Sequence, residues 1–181
     1  SSLDSKENNN FKDELLEAKT ESGICKVLCY SPNHSLTMPL MSIEEIILII
    51  ELWQEEYEKL SLLKSINHIQ IFENKGELMG CSNPHPHGQI WAQKSIPKES
   101  LKKQFHQKEY FKKNNKSLLL SYIVQELKVQ ERIIYQNDSF VALIPFWATW
   151  PYETMIVPKI HHKSILELSK KEVIDYAKIL K

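Results

Sequence analysis

The stretch Phe72-Glu73-Asn74-Lys75-Gly76 is followed, after three residues, by Gly80-Cys81-Ser82-Asn83-Pro84-His85-Pro86-His87-Gly88-Gln89-Ile90-Trp91. Three of the four glycines of the chain lie here, and glycine permits positive φ and a close approach of the backbone to a ligand. Each of the two prolines fixes its own φ and keeps the preceding residue extended. The two histidines are two residues apart, so in an extended segment they face the same side. Two imidazoles held in this way and followed by an amide side chain indicate a functional loop rather than a core segment.

The residue types of this loop suit phosphoryl transfer. A neutral imidazole nitrogen can attack phosphorus and form a phosphoramidate, which divides one difficult transfer into two easier ones. The nucleophile must be unprotonated near neutral pH, where histidine titrates, and a carbonyl that accepts from its other nitrogen would fix the tautomer. Gln89 can donate to a phosphoryl oxygen whose charge rises in the transition state, and the Gly-Cys-Ser-Asn turn can direct backbone N–H groups and a hydroxyl at an anion. The alternative is that the two histidines are a buried structural pair satisfied by hydrogen bonds. The loop sequence taken as a whole favours a catalytic role.

The segments on the N-terminal side of this loop predict two strands and a helix. Apolar residues alternate over Cys25–Tyr30 and over His68–Phe72, which is typical of strands. Ser42 followed by Glu45 forms a capping box that begins a helix reaching about Leu60. The apolar stripe of that helix includes Ile46, Ile49, Ile50, Trp53 and Tyr57.

The segments on the C-terminal side predict a helical connection and a second set of strands. Residues 97–130 are helical, and their lysine-rich faces are explained by solvation because acidic residues follow closely. Residues 132–181 predict three strands and then a helix. Phe140–Pro145 and Thr154–Pro158 are separated by an aromatic turn, and Ser169 with Glu172 forms a second capping box.

An internal repeat relates the two parts of the chain. His34 stands eight residues before the capping-box Ser42, and His161 stands eight residues before the capping-box Ser169. A predicted strand precedes each histidine. The final residues stop in mid-helix, so we expect one complete unit, the first half of another, and a chain that is a fragment lacking N- and C-terminal segments.

The predicted division has three parts. Residues 1–20 form a polar tail or linker, in which Phe11 and Leu15–Leu16 could begin a short helix. Residues 21–130 form the first unit with the glycine-rich loop and its helical connection, and residues 131–181 form the first half of the second unit.

Composition excludes several classes of protein. The 23 basic and 23 acidic residues cancel, and every basic residue except Arg132 is lysine. A nucleic-acid binder normally has a basic excess, and no apolar run reaches the ~18 residues that span a bilayer. We therefore predict neither nucleic acid nor membrane as a partner. Three cysteines without disulfide spacing suit a reducing compartment, and we predict a cytoplasmic protein.

The loop quoted above resembles the galactose-1-phosphate uridylyltransferases, a family of the histidine-triad superfamily. The resemblance extends across Cys25–Pro32 and resumes at Pro145–Thr154, so it covers nearly all of residues 23–181. It implies an α+β fold with a mostly antiparallel sheet and flanking helices, as one complete histidine-triad-like unit plus the first half of a second. It also implies a transferase that exchanges UMP between UDP-glucose and galactose 1-phosphate through a covalent uridylyl-histidine, in the Leloir pathway of galactose metabolism.

The resemblance assigns roles to particular positions. His87 matches the nucleophile, and Gln89 matches the glutamine that contacts the transferred phosphoryl group. The positions matching the UDP-hexose site are Phe72, Asn74, Gly80, Cys81, Ser82 and Gln89. The implied partners are UDP-glucose, UDP-galactose and hexose 1-phosphates, and a second copy of the chain, because family members are homodimers with active sites at the subunit boundary.

Two metal sites of the family bear on the sequence. His34 and His85 match two ligands of a structural zinc site in bacterial members, whose two further cysteines lie upstream in a segment that this chain lacks. Structural zinc takes four ligands, so we expect the site to be incomplete here, and a His34 that caps its turn through hydrogen bonds remains an equal alternative. Lys103 stands where some members have a glutamate ligand of a second metal, and a cation opposes metal binding, so no iron is expected.

Four further expectations concern residues outside the loop and rival functions. Cys25 and Cys29 are expected to pack in the core, and His161 and His162 to be structural. The rival enzyme is a histidine-triad nucleotide hydrolase or phosphorylase, although those usually carry a third histidine where Gln89 stands. The rival of another class is a non-catalytic fragment that keeps the fold.

Overall fold

The computed structural model describes residues 11–81 and 83–181. They form two compact units: the first comprises residues up to Ser35 together with Glu56–Lys98, and the second comprises Leu36–Glu55 together with Glu99–Lys181. Each unit contains a three-stranded antiparallel sheet. The helical connection that we assigned to the first unit clusters with the second in the structure. The division into histidine-triad units itself stays a prediction.

The described residues form eight strands and four α-helices. The strands are β1 (Phe11–Lys12), β2 (Glu17–Ala18), β3 (Gly23–Cys29), β4 (His68–Phe72), β5 (His87–Gln93), β6 (Ile133–Gln136), β7 (Phe140–Leu143) and β8 (Met155–Pro158). The helices are α1 (Ile43–Ser61), α2 (Lys98–Asn114), α3 (Leu118–Val129) and α4 (Lys170–Leu180). This order of helices and antiparallel strands confirms the predicted α+β class.

The first sheet has the order β3-β5-β4, with the functional strand β5 in the centre. On β5 the residues Gly88, Ile90 and Ala92 are buried, while His87 and Gln89 on the opposite face are only half-buried. On the covered face, Lys26 of β3 bonds to Glu56 in the last turns of α1. One face of this sheet is therefore covered, and the other is more open.

The expectation that Cys25 and Cys29 pack in the core is wrong. Both side chains are exposed, because they share the open face with Val27, which is 65% exposed. Alternation in a strand separates two faces, but it does not tell which face another element covers.

The predicted short helix near Leu15 is also wrong. β1 and β2 pair antiparallel, with Phe11 opposite Ala18. The Asp13 carboxylate accepts from the Leu15 N–H at 3.1 Å, and the Asp13 N–H donates to the Leu16 carbonyl at 2.7 Å. This side-chain turn competes with helix formation, and both leucines are exposed, so no packing stabilises a helix here.

The second sheet, β6-β7-β8, is covered on both faces. All four residues of β7 are buried. Val141 and Leu143 pack with Ile123 of α3, whereas Phe140 and Ala142 pack with Ile179 of α4. Burying such side chains stabilises the fold by about 1.5–3 kcal/mol each, so β7 is the centre of this unit's core.

The helices follow their sequence signals closely. Ile46 and Ile50 of the α1 stripe are fully buried. The 97–130 stretch is divided into two helices by Asn115, whose φ of 51° ends α2, and by Ser117, whose hydroxyl accepts from the Leu120 N–H and caps α3. Among the described residues, no helix is both long and apolar enough to cross a membrane.

Candidate functional site

The side chain of His87 is oriented by the backbone of its own loop. Its Nδ1 lies 2.7 Å from the carbonyl oxygen of His85. A carbonyl only accepts, so Nδ1 carries the proton and donates, and in the neutral imidazole Nε2 then keeps its lone pair. This is the tautomer that the sequence argument required of a nucleophile.

His34 and His85 lie side by side in the first unit. Their Nδ1 atoms are 2.9 Å apart, and the ring centroids are 4.5 Å apart with an angle of 65° between the planes. Two nitrogens bound to one tetrahedral zinc lie about 3.3 Å apart, from Zn–N bonds of ~2.0–2.1 Å, so the pair fits half of such a site with little movement. No third His, Cys, Asp or Glu completes a cluster within residues 11–81 and 83–181.

The glycine-rich loop before His85 is held by its own hydrogen bonds. Gly76 and Gly80 adopt φ of 86° and 77°, which side-chain-bearing residues rarely tolerate. The Gly76 carbonyl accepts from the N–H groups of Met79 at 3.0 Å and Cys81 at 3.2 Å. The Cys81 N–H is thus already used inside the loop. Ser82 lies outside the described residues, so the predicted anion cradle stays a prediction.

Asn83 joins this loop to the histidines. Its side-chain oxygen accepts from the His85 N–H at 3.0 Å, and its carbonyl accepts from the Cys81 thiol at 3.0 Å. These bonds order the segment that leads to His87. The sequence argument gave Asn83 no role of its own. An Asn side chain often bonds to the backbone N–H two residues later, so its position before His85 is a signal of such a turn.

The open face of the first sheet brings together Phe72 and Gln89, two of the six predicted substrate-binding residues. Phe72 pairs with Gln89 across β4 and β5, and its ring meets that of Trp91 edge to face at 5.3 Å. Asn74 lies two residues beyond this pair, as His87 does on β5, so the antiparallel register carries it toward the nucleophile. An aromatic surface beside an imidazole and an amide can hold a planar base next to a phosphoryl group.

Glu73 adds a titratable group near the nucleophile. Loss of solvation raises the pKa of its carboxyl above the ordinary value, against the opposing charges of Lys75 and His87. Glu73 therefore binds its proton more tightly than a fully solvated carboxyl does.

The remaining predicted residues lie in the second unit. Lys103, with Lys102 and His106, lines a cavity of about 740 Å³ whose walls include Tyr122 and Trp147. Glu153 belongs to the same lining, and the expectation that no metal binds near Lys103 stays a prediction. Nε2 of His162 lies 2.8 Å from the carboxylate of the capping-box Glu172, a contact consistent with the structural role expected for His162.

The comparisons with known families agree with this fold. Residues 1–97 match the family described as galactose-1-phosphate uridyl transferase, N-terminal domain, and residues 102–181 match its C-terminal domain. The chain belongs to the galactose-1-phosphate uridylyltransferase family, as its resemblance in sequence predicted.

The curated relatives of this chain are longer proteins. It is 43% identical over 169 residues to the galactose-1-phosphate uridylyltransferase of Haemophilus influenzae, and 43% identical over 178 residues to that of Schizosaccharomyces pombe. These alignments cover 93% and 96% of this chain, but 48% of each relative. The chain therefore spans about half the length of the curated relatives it matches.

Solved structures share the fold. A uridylyltransferase structure superimposes with a TM-score of 0.83 at 27% identity, covering 94% of this chain and 54% of the other. An ADP-glucose phosphorylase from Arabidopsis thaliana, solved with bound ADP-glucose, gives a TM-score of 0.78 at 28% identity over 87% of this chain and 49% of the other.

Proposed function

We propose that the protein exchanges UMP between UDP-glucose and galactose 1-phosphate through a covalent uridylyl group on His87. The observation that carries this proposal is the 2.7 Å bond between His87 Nδ1 and the His85 carbonyl, which leaves Nε2 as the nucleophile. The names of the curated relatives support galactose 1-phosphate as a substrate and a uridylyl group as the group transferred.

The proposed chemistry has two balanced steps. His87 Nε2 attacks the α-phosphorus of UDP-glucose, a P–N bond forms, and glucose 1-phosphate leaves. Galactose 1-phosphate then attacks the same phosphorus through its phosphate oxygen, the P–N bond breaks, and UDP-galactose leaves. Gln89 donates to the phosphoryl oxygen whose charge rises in both transition states. Phe72, Asn74, Gly80, Cys81 and Ser82 form the proposed nucleotide site.

The test is to incubate the complete protein with UDP-glucose and no acceptor, and to measure its intact mass. We expect a gain of one UMP that maps to His87, and no gain in His87→Ala. His85→Ala is the matched control for loss of an imidazole from the same loop. A label on His85, or a label that survives in His87→Ala, contradicts the proposal.

A second candidate is a nucleotide-sugar phosphorylase, in which inorganic phosphate replaces the hexose 1-phosphate acceptor. The structural match to an ADP-glucose phosphorylase favours considering it. Chasing the labelled protein with each acceptor separates the two functions. Release of UDP-galactose by galactose 1-phosphate supports the exchange, whereas UDP released by phosphate alone supports the phosphorylase.

We also infer that a structural zinc is bound through His34 and His85, with its other ligands supplied from outside the described residues. The convergent Nδ1 atoms support this proposal. In this chain by itself we expect substoichiometric zinc that falls further in His34→Ala and not in the control His161→Ala, and we expect no iron. Elemental analysis and an anomalous map decide the matter. Full zinc occupancy on these two histidines with no other protein ligand, or metal bound near Lys103, contradicts the respective proposal.

The assembly and location follow as further proposals. The open face of the first sheet, with exposed Val27 and half-exposed Trp91, supports a homodimer that covers the site. Three free cysteines support a cytoplasmic location. Sedimentation of the complete protein and fractionation of cells that express it check these two points.

A further inference from the structure

The glycines of the functional loop serve two different physical needs. Gly76 and Gly80 have positive φ, and a methyl group built on either would meet no atom within 4 Å. Gly88 lies in β5 and is not among the positive-φ glycines of the described chain. A methyl group built there would overlap the hydroxyl of Tyr30 and lie 2.6 Å from its Cζ atom. Gly88 is thus required for space, and the atoms that fill the space belong to Tyr30.

Tyr30 holds the nucleophile's strand on both sides of His87. Its N–H donates to the Pro86 carbonyl at 2.9 Å, which extends the β3–β5 ladder one step beyond the pair of Cys29 and His87. Its phenol ring lies against the α-carbon of Gly88. Contacts to the residue before and the residue after His87 leave the backbone of the nucleophile little freedom to shift.

The ring and the nucleophile act on opposite faces of the sheet. Tyr30 continues the alternation of β3 on the side of Leu28, which is the covered side, whereas His87 emerges on the open side. The ring therefore contacts the strand from behind and does not occupy the space of a substrate.

We propose that Tyr30 is a positioning residue for His87, with Gly88 as its size-matched partner. Its ring fixes the position of β5 perpendicular to the sheet. It thereby fixes the geometry of the 2.7 Å hydrogen bond between His87 Nδ1 and the His85 carbonyl oxygen. A displacement of about 1 Å in a reacting group lowers a rate by ~10²-fold. The kinetic consequence rests on the proposed function of His87, while the packing of Tyr30 on Gly88 does not.

The test is a size-exchange cycle in the complete protein with Gly88→Ala, Tyr30→Leu and the double variant. The rate constant of single-turnover uridylylation at saturating UDP-glucose, KM and thermal stability are measured for each. We expect Gly88→Ala to lower the rate constant ~100-fold with KM changed less than about threefold. The double variant should recover at least about tenfold over Gly88→Ala, because leucine leaves room for the added methyl group.

Tyr30→Phe is the conservative variant, since it keeps the ring and removes only the hydroxyl, and it should lose less labelling rate than Tyr30→Leu. If Gly88→Ala does not fold, Tyr30→Leu against Tyr30→Phe decides, with about a tenfold loss expected only for leucine. A Gly88→Ala variant that labels at the wild-type rate overturns the proposal. A double variant no faster than Gly88→Ala, or variants that lose stability without losing rate, also overturns it.

Failure of the proposed function remains distinguishable from failure of this inference. If the wild-type protein takes up no UMP, the proposed function fails, and the Tyr30–Gly88 pair is then judged from ¹⁵N spectra of the His87 imidazole. The wild type should have its proton on Nδ1, Gly88→Ala should lose that preference, and the double variant should regain it. Identical His87 spectra in all three proteins overturn the positioning role by themselves.

Discussion

The sheet β3-β5-β4 and the sheet β6-β7-β8 each have three antiparallel strands. They differ in how their central strand is covered. β7 is buried along its whole length, with α3 on one face and α4 on the other. β5 alternates, so that His87 and Gln89 lie on a face that is only partly covered.

Because of this difference, the first sheet can carry a reactive site, whereas the second contributes mainly to stability. The open face suits the nucleophilic role proposed for His87, which requires contact with a substrate, whereas both faces of β7 are packed in a core. The repeat that relates His34 to His161 therefore does not repeat the site: His34 contacts His85, while His161 lines a groove beside Phe111 and Leu118 in the second unit.

The largest expected effect is on the reaction proposed for the open face. Gln89→Arg should slow uridylyl transfer by ~10²–10³-fold while leaving the fold intact. Arginine is longer and always charged, so it would hold the covalent phosphoryl group too firmly and displace it from the in-line geometry. Steady-state turnover is the measurement, and Gln93→Arg, on the same strand and face, is the matched control. Normal turnover in Gln89→Arg would refute the role of this glutamine.

A second experiment compares the two sheets directly through stability. Leu143→Ala, at a fully buried position of β7, should lower the free energy of unfolding by about 3–5 kcal/mol. Val27→Ala, at a 65% exposed position of β3, should change the free energy of unfolding of the unassembled chain by less than about 0.5 kcal/mol. Chemical denaturation measures both. Equal losses would mean that the open face is covered in solution.

A third experiment uses pH to test the polar part of the second unit's core. Hydrogen bonds from Arg132 at 3.0 Å hold the pKa of the buried Glu126 carboxyl below its ordinary value. The folded state thus binds this proton less tightly than the unfolded state. The stabilisation is complete above the unfolded pKa of about 4.3 and is lost as pH falls toward the folded pKa.

Glu126→Gln should remove part of that acid dependence and cost about 2 kcal/mol at neutral pH, less than the ~3–5 kcal/mol of leaving a buried charge unpaired. Glu99→Gln, in the exposed pair with Lys102, is the control and should change stability little. Urea midpoints between pH 3 and pH 7 give the comparison. Parallel pH profiles for wild type and Glu126→Gln would contradict it.

The smallest expected effect concerns the two capping boxes that mark the repeat. Ser42→Ala and Ser169→Ala should each destabilise the protein by about 1 kcal/mol, because each hydroxyl accepts from the backbone N–H of a glutamate three residues later. Thermal denaturation of the two variants is compared with Ser61→Ala at the end of α1. A loss at only one of the two boxes would show that the caps are equivalent in sequence but not in energy.

Local signals explain why much of the fold was predictable. Both capping boxes are present, the strand His68–Phe72 has the predicted bounds, and α1 ends one residue beyond the predicted end. Such features depend on residues a few positions apart, which the sequence displays directly. The hairpin near Leu15 was missed because an Asx turn at Asp13 overrode a weak apolar pattern.

The candidate site was predictable in its chemistry but not in its arrangement. The loop motif identified His87, Gln89 and the glycines, because their residue types and spacing are tied to what they do. Three features were not predicted: the exposure of Cys25 and Cys29, the hydrogen bonds made by Asn83, and the contact between Tyr30 and Gly88. Each depends on which face is covered or on which side chain fills a gap.

By itself, the sequence determined most of the element types, the capping residues, the family and the residues proposed to carry phosphoryl transfer, since these depend on local spacing and side-chain chemistry. The resemblance already brought His34 and His85 to one zinc site, and the structure places their Nδ1 atoms 2.9 Å apart. Only the tertiary structure decided that β5 is open on the His87 face and that Tyr30 fills the space beside Gly88. Strand register and the covering of one sheet face produce these contacts. Both are set by packing between distant segments rather than by neighbours in the chain.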